Sequence, residues 1–175
     1  MRSRPFWIGA AVGIVACVVI GVLIVPALGL FSTSANGGSG LLDWWGNTNL
    51  RSSLRWRAPN ESVPTTADAG LGLGPYMTTC VHCHGTRELS PSTWAEFMQP
   101  APPHLWEHGT QEMSDGQLFY VISEGIRMTG MPSFKKIYEP TEIWNTVAYV
   151  RQLGKPTDGD KQKPKTTQSA SEPAR

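Results

Sequence analysis

Apolar and polar positions divide the chain unevenly. From Phe6 to Leu30 no residue is charged. Such a run, roughly 25 residues, is longer than the ~20 that cross a bilayer as a helix. Arg2 and Arg4 stand before it in a short segment, residues 1–5. Basic residues stay on the cytoplasmic side of a span. The pattern therefore predicts a single-pass transmembrane anchor over 6–30 in the inner (cytoplasmic) membrane, with everything downstream on the periplasmic side. Pro26 is placed to kink that helix or end it early. A secretory signal has an apolar core of roughly 7–15 residues, so a retained span is favoured over a segment cut near Ala35. Ile14-Val15-Ala16-Cys17 loosely resembles a lipoprotein cleavage box, but Val18-Val19-Ile20 continue the apolar run. Cys17 is then read as a small apolar residue inside a helix.

Beyond the anchor the pattern changes twice more. Residues 31–66 are rich in Ser, Gly, Asn and Pro with little periodicity and read as a linker. Trp44, Trp45 and Trp56 stand out there: they fit the headgroup level of a membrane, or they pack on the domain that follows, and the sequence leaves both open. Residues 67–154 carry three helical patterns and no segment that alternates long enough for a strand, which predicts an all-α domain. The first pattern runs through Leu71, Tyr76 and Met77 to Cys80. The second opens on Ser114 with Gln117 three later, a capping box, and continues with Leu118, Phe119, Val121 and Ile122 to a natural stop at Gly125. The third begins at Pro140, which suits a first helical position, and shows the stripe Ile143, Trp144, Val147, Ala148 and Leu153. Residues 155–175 lack large apolar side chains and are expected to be disordered. There is no internal repeat, so a second copy of any site in 67–154 is excluded.

Charge changes the picture little. The formal net charge of +1 argues against nucleic-acid binding through bulk electrostatics. The cysteines change it more. Of three, Cys80 and Cys83 are close and Cys17 is remote, which does not read as a disulfide framework.

Cys80-Val-His-Cys83-His84 has the spacing of a covalent haem attachment sequence. Two thiols three apart on a helical turn reach the two vinyl groups of one porphyrin edge, and the next residue, His84, offers an imidazole to the iron. A zinc site would want a second Cys/His pair, and the domain holds no other cysteine. A thioredoxin-like pair would want a βαβ context, which is absent. A periplasmic location adds to the case, because haem is attached outside the cytoplasm. One haem c through Cys80 and Cys83 is therefore expected. For the sixth ligand, Met131 lies between Gly130 and Pro132, residues that fix a loop able to deliver sulfur. Met128, His104 and His108 are the competitors, while His82 is internal to the attachment turn and points elsewhere.

Taken together, Cys80 to Gly85 with Tyr76 four before the first Cys, the Thr129-Gly130-Met131-Pro132 loop and a closing Trp/Tyr helix resemble the class I (monohaem) cytochrome c family. The likeness spans about Gly72 to Leu153 and is closest to bacterial members whose distal loop reads T-G-M-P. It implies a cytochrome c fold of three main helices around one haem, with His84 and Met131 as metal ligands. It implies a carbonyl acceptor for the His84 ring from the Pro-rich loop, with Pro102 or Pro103 as candidates, and a haem contact from Leu105. Ile126, in the loop that carries Met131, is expected among the haem contacts. Gly72 and Tyr76 would cross the last helix near Trp144 and Tyr149, although Pro75 departs from the pattern and suggests a late start near Gly70 or Leu71 and a displaced crossing. Trp144 is expected in the core. The implied function is single-electron transfer between redox protein partners, on its own or as a subunit of a respiratory complex, and not enzymatic catalysis. Lys135 and Lys136 beside the loop are candidates to steer an acidic partner, in a domain that carries five basic residues, these two included, and nine acidic ones. A gas sensor or haem enzyme with a displaceable ligand, and an assembly subunit that merely carries haem, are the alternatives. A domain of this size buries a marginal core alone, so the apo form is expected to be poorly folded.

Overall fold

In a computed structural model, the described residues are 4–27 and 40–156. The N-terminal residues 1–3, the junction 28–39 and the expected tail from 157 on lie outside them. The chain divides into two compact units, Met1–Ser39 and Gly40–Arg175. The first contains helix α1 (Arg4–Ala27), which continues through Pro26. Its Phe6–Ile24 stretch is long and apolar enough to cross a membrane.

The second unit is all helix and loop among the described residues. Its elements are α2 (Gly40–Arg57), α3 (Ala69–Pro75), a widened turn (Tyr76–Cys80), α4 (Val81–His84), α5 (Thr93–Glu96), α6 (His108–Gln111), α7 (Asp115–Glu124) and α8 (Pro140–Leu153). Helix α2 departs from the irregular linker expected over 31–66. Gly40, Gly46, Asn47 and Asn49 are weak helix formers, and they hide the signal of Leu50 and Leu54 one turn apart. Leu54 is buried, and α2 packs on α7. Tertiary burial, which supplies most helical stability in proteins, overrides propensity here. The stretch after α2 is also tied down: the Val63 N–H donates to Asp115 Oδ2 at 3.0 Å.

Asp68 caps α3, its carboxylate accepting from the Gly70 N–H at 2.7 Å. The helix thus starts at Ala69, a residue before the expected region, and Pro75 lies inside it. Proline lacks the N–H for the bond four residues back, and its ring crowds that carbonyl. The backbone accommodates it by widening, so that the Val81 N–H bonds the Tyr76 carbonyl five residues back. Thr78 Oγ1 takes up the Gly74 carbonyl at 2.6 Å. Such bulges recur at functional sites, and this one leads directly into the attachment turn.

The crossing of α3 and α8 is not displaced. A Cβ on Gly72 would lie 2.0 Å from the Asn145 carbonyl oxygen, so only glycine permits the approach. Tyr76 and Tyr149 rings meet at 4.9 Å, and the Tyr76 hydroxyl donates to the Gly85 carbonyl at 2.5 Å. Tyr76, Val81, Leu118, Trp144, Val147 and Val150 form the core. Trp144 stacks on Phe119 at 4.4 Å, which places it in the packing as expected. The expected helix signals hold: Ser114 and Gln117 form the capping box on α7, Gly125 ends that helix, and Pro140 opens α8 behind a Glu139–Glu142 cap. Arg151 of α8 bonds Asp115 Oδ1 at 2.7 Å and the Gln111 and Met113 carbonyls, fastening α8 to the start of α7.

Candidate functional site

Helices α2, α4 and α7, the Pro-rich loop and the loop after α7 line one cavity of about 680 Å³, within the usual range for ligand sites. Cys80, Cys83, His84, Pro102, Pro103, Leu105, Ile126 and Met131 all line it. All eight site residues expected from the sequence therefore converge on one space.

On one side stands His84, 9% exposed at the end of α4. Its Nδ1 lies 2.7 Å from the Pro103 carbonyl oxygen. A carbonyl only accepts, so Nδ1 carries the proton and the Nε2 lone pair is free for a metal. Burial lowers the His84 pKa, opposed by the Pro103 bond and reinforced by His104, which favours the neutral, ligating ring. Burial, helped by the neighbouring Cys83, pushes the Cys80 thiol up to about 12, and burial also raises Cys83. Both cysteines are free, so two neutral thiols stand ready beside one imidazole.

Met131 comes from the loop between α7 and α8. Gly125 has φ 69, and a Cβ there would meet the Pro132 backbone at 2.6 Å. The Ile126 N–H bonds the Met131 carbonyl at 3.1 Å. Thr129 Oγ1 donates to the Ile126 carbonyl at 2.7 Å and accepts from the Met131 N–H at 3.1 Å. Ser133 Oγ and the Phe134 N–H return the chain to the last turn of α7, at Ser123 and Ile122. The competitors are placed otherwise. Met128 is 90% exposed with φ 63 and is not part of the cavity wall. His108 is exposed and pairs with Glu112 at 3.3 Å. His104 does line the cavity, but it follows the carbonyl that holds His84, has its Nδ1 3.4 Å from the His84 carbonyl, and stacks on Trp106. His82 is exposed.

One expectation changes. Lys135 is not a free steering charge, because its Nζ pairs with Glu124 at 2.7 Å. The sequence reading also missed several wall residues, among them Met98, Met113, Phe134 and, from α2, Leu50, Arg51, Leu54 and Arg55. Met98 presses on the Met131 loop: its Cε lies 1.7 Å from where a Gly130 Cβ would stand. Nothing local marks these residues, since they reach the cavity through tertiary packing.

The residues present fit a haem. Leu54, Leu105, Leu118, Val121, Ile122 and Phe134 make much of the wall apolar, a poor host for water. A large flat apolar group is what such a wall accommodates, and the two thiols and the oriented imidazole could hold it.

No curated protein matches the chain. Residues 67–150 match the family described as Cytochrome C oxidase, cbb3-type, subunit III. A cytochrome c domain implies covalently bound haem c and redox protein partners, and it fits an electron carrier better than an enzyme. The all-helical fold and the cavity of thiols and imidazole agree with this match: residues 67–150 form a domain of the class I cytochrome c family.

Proposed function

We propose that this protein is a membrane-anchored monohaem cytochrome c that passes single electrons between respiratory-type redox partners on the periplasmic side, with His84 and Met131 as the iron's axial ligands. One observation carries the reading: Cys80, Cys83, His84 and Met131 line a single apolar cavity, and the His84 ring is already oriented by Pro103.

The division of labour among residues follows from the geometry. The Cys80 and Cys83 thiols would hold the haem, and His84 would bind iron through Nε2. Met131 would supply a thioether, a soft donor that favours the ferrous state and raises the potential relative to a second histidine. The chemistry a bound haem supplies is reversible one-electron exchange between ferric and ferrous iron. The Pro103 bond keeps the His84 ring from turning, and the hydrogen-bonded loop keeps Met131 in reach, so little need move when an electron arrives. Leu118, Ile122 and Phe134 exclude water. Helix α1, with Arg2 and Arg4 ahead of the uncharged Phe6–Ile24 stretch, would retain the domain at the membrane over a span of residues 6–30, in the organisation of anchor, linker, domain and tail set out from the sequence.

The test is optical and topological together. Purified full-length protein is expected to give a c-type reduced spectrum, to cycle reversibly between two oxidation states and to bind CO slowly. In membranes it is expected to resist high-salt extraction and to be cleaved by protease added from the periplasmic side. Rapid CO uptake would replace the carrier reading with a sensor or enzyme; release by salt would remove the anchor.

A further inference from the structure

Helix α2 lies outside the matched residues 67–150, yet it forms one wall of the cavity. Asn47, Leu50, Arg51, Leu54 and Arg55 line it, and their spacing puts them on one helical face. Leu54 is buried, while Arg51 and Arg55 are exposed at its flanks. Among the described residues no other lysine or arginine lines the cavity. Among the described residues neither arginine has a carboxylate partner. Of the acidic residues on the same wall, Glu112 lies 3.3 Å from His108 Nδ1, and among the described residues Glu107 makes no ion pair with α2. Two like charges one helical turn apart repel each other, so this helix face gains from an anion that bridges or flanks them.

A haem supplies such anions. When it is attached through its two vinyl groups at Cys80 and Cys83, its two propionate carboxylates lie on the opposite edge of the ring. Carboxylates carried into an apolar cavity need a paired cation, and guanidinium groups bind carboxylates in a bidentate fork. We propose that α2 is a haem clamp: Arg51 and Arg55 bind the propionates, and Leu50 and Leu54 cover the ring beside them. This rests on the reading of the cavity as a haem site and extends it to a helix the cytochrome domain does not include. Cations at the propionates offset negative charge that would otherwise stabilise ferric iron, so the clamp raises the reduction potential.

The experiment measures the midpoint potential of the full-length holoprotein. Arg51→Gln with Arg55→Gln is expected to lower it, and each single change to lower it by part, with the c-type spectrum and the methionine-to-iron band retained. Arg51→Lys with Arg55→Lys keeps the charge and is expected to recover most of the drop. Arg57→Gln, on the same helix but off the cavity wall, is expected to leave the potential where it was. A wild-type protein with no c-type spectrum would defeat the haem reading itself. A normal spectrum with an unshifted double Gln variant, or an Arg57→Gln drop as large as the double variant's, would defeat the clamp alone.

Discussion

The two candidate ligands on the cavity wall, His84 and Met131, are positioned by different means. His84 sits on a helix four residues after Cys80, is almost fully buried, and has its ring held by one carbonyl from the Pro-rich loop. Met131 sits on an irregular loop, half-buried, and owes its position to a left-handed glycine, a threonine hydroxyl and backbone bonds to the end of α7. The first is local in sequence: residues 80–84 carry both thiols and the imidazole. The second is assembled from a chain that leaves α7 and must return to it. On the proposed reading, the difference implies that attachment is robust and that ligand exchange is most easily provoked at Met131.

That contrast can be broken at several strengths. Replacing Cys80 and Cys83 by Ala is expected to have the largest effect, abolishing covalent haem, as read by haem stain after denaturing electrophoresis. The resulting chain should also lose its cooperative thermal transition, because the cavity then has no resident; a sharp native-like melt would show that the core suffices alone. Next comes Gly72→Val. Its side chain must enter space where a Cβ already stands 2.0 Å from the Asn145 carbonyl, and overpacking of this kind costs about 3 kcal/mol. Thermal melts of the holoprotein would register it, with the haem still attached.

The remaining two act on the methionine side only. Gly125→Ala forces a side chain into φ 69 and against the Pro132 backbone, at a cost of about 1–3 kcal/mol. Faster CO binding to the reduced protein, with attachment unchanged, is the expected result. Thr129→Val removes the hydroxyl that joins Ile126 to Met131, a loss of about 1 kcal/mol. A smaller acceleration of CO binding is expected, and an acceleration exceeding that of Gly125→Ala would reverse the order of importance given to the glycine.

Much of the site was legible because its chemistry is local. Cys80, Cys83 and His84 fall within one turn, and the Ser114 capping box, the Gly125 stop and the Pro140 start are signals carried by adjacent residues. The Pro-rich loop was legible as a partner for His84, but the sequence left Pro102 and Pro103 open; the carbonyl geometry selects Pro103. Helix α2 was not legible, since its glycines and asparagines speak against a helix and its burial depends on α7, more than fifty residues on. For the same reason Arg51, Arg55 and Met98 were invisible as cavity residues. Pro75 misled in the other direction: its disruption is absorbed by a widened turn, so the Gly72 crossing stays in place.

The most direct measurement is the red and near-infrared absorption of the ferric protein, where a methionine sulfur bound to haem iron gives a charge-transfer band. The band is expected in the wild type and in Met128→Ala, and is expected to vanish in Met131→Ala while the haem remains covalently attached. A band that survives Met131→Ala would move the ligand to another thioether, Met98 and Met113 being two that already line the cavity, and a wild type without the band would contradict methionine ligation altogether.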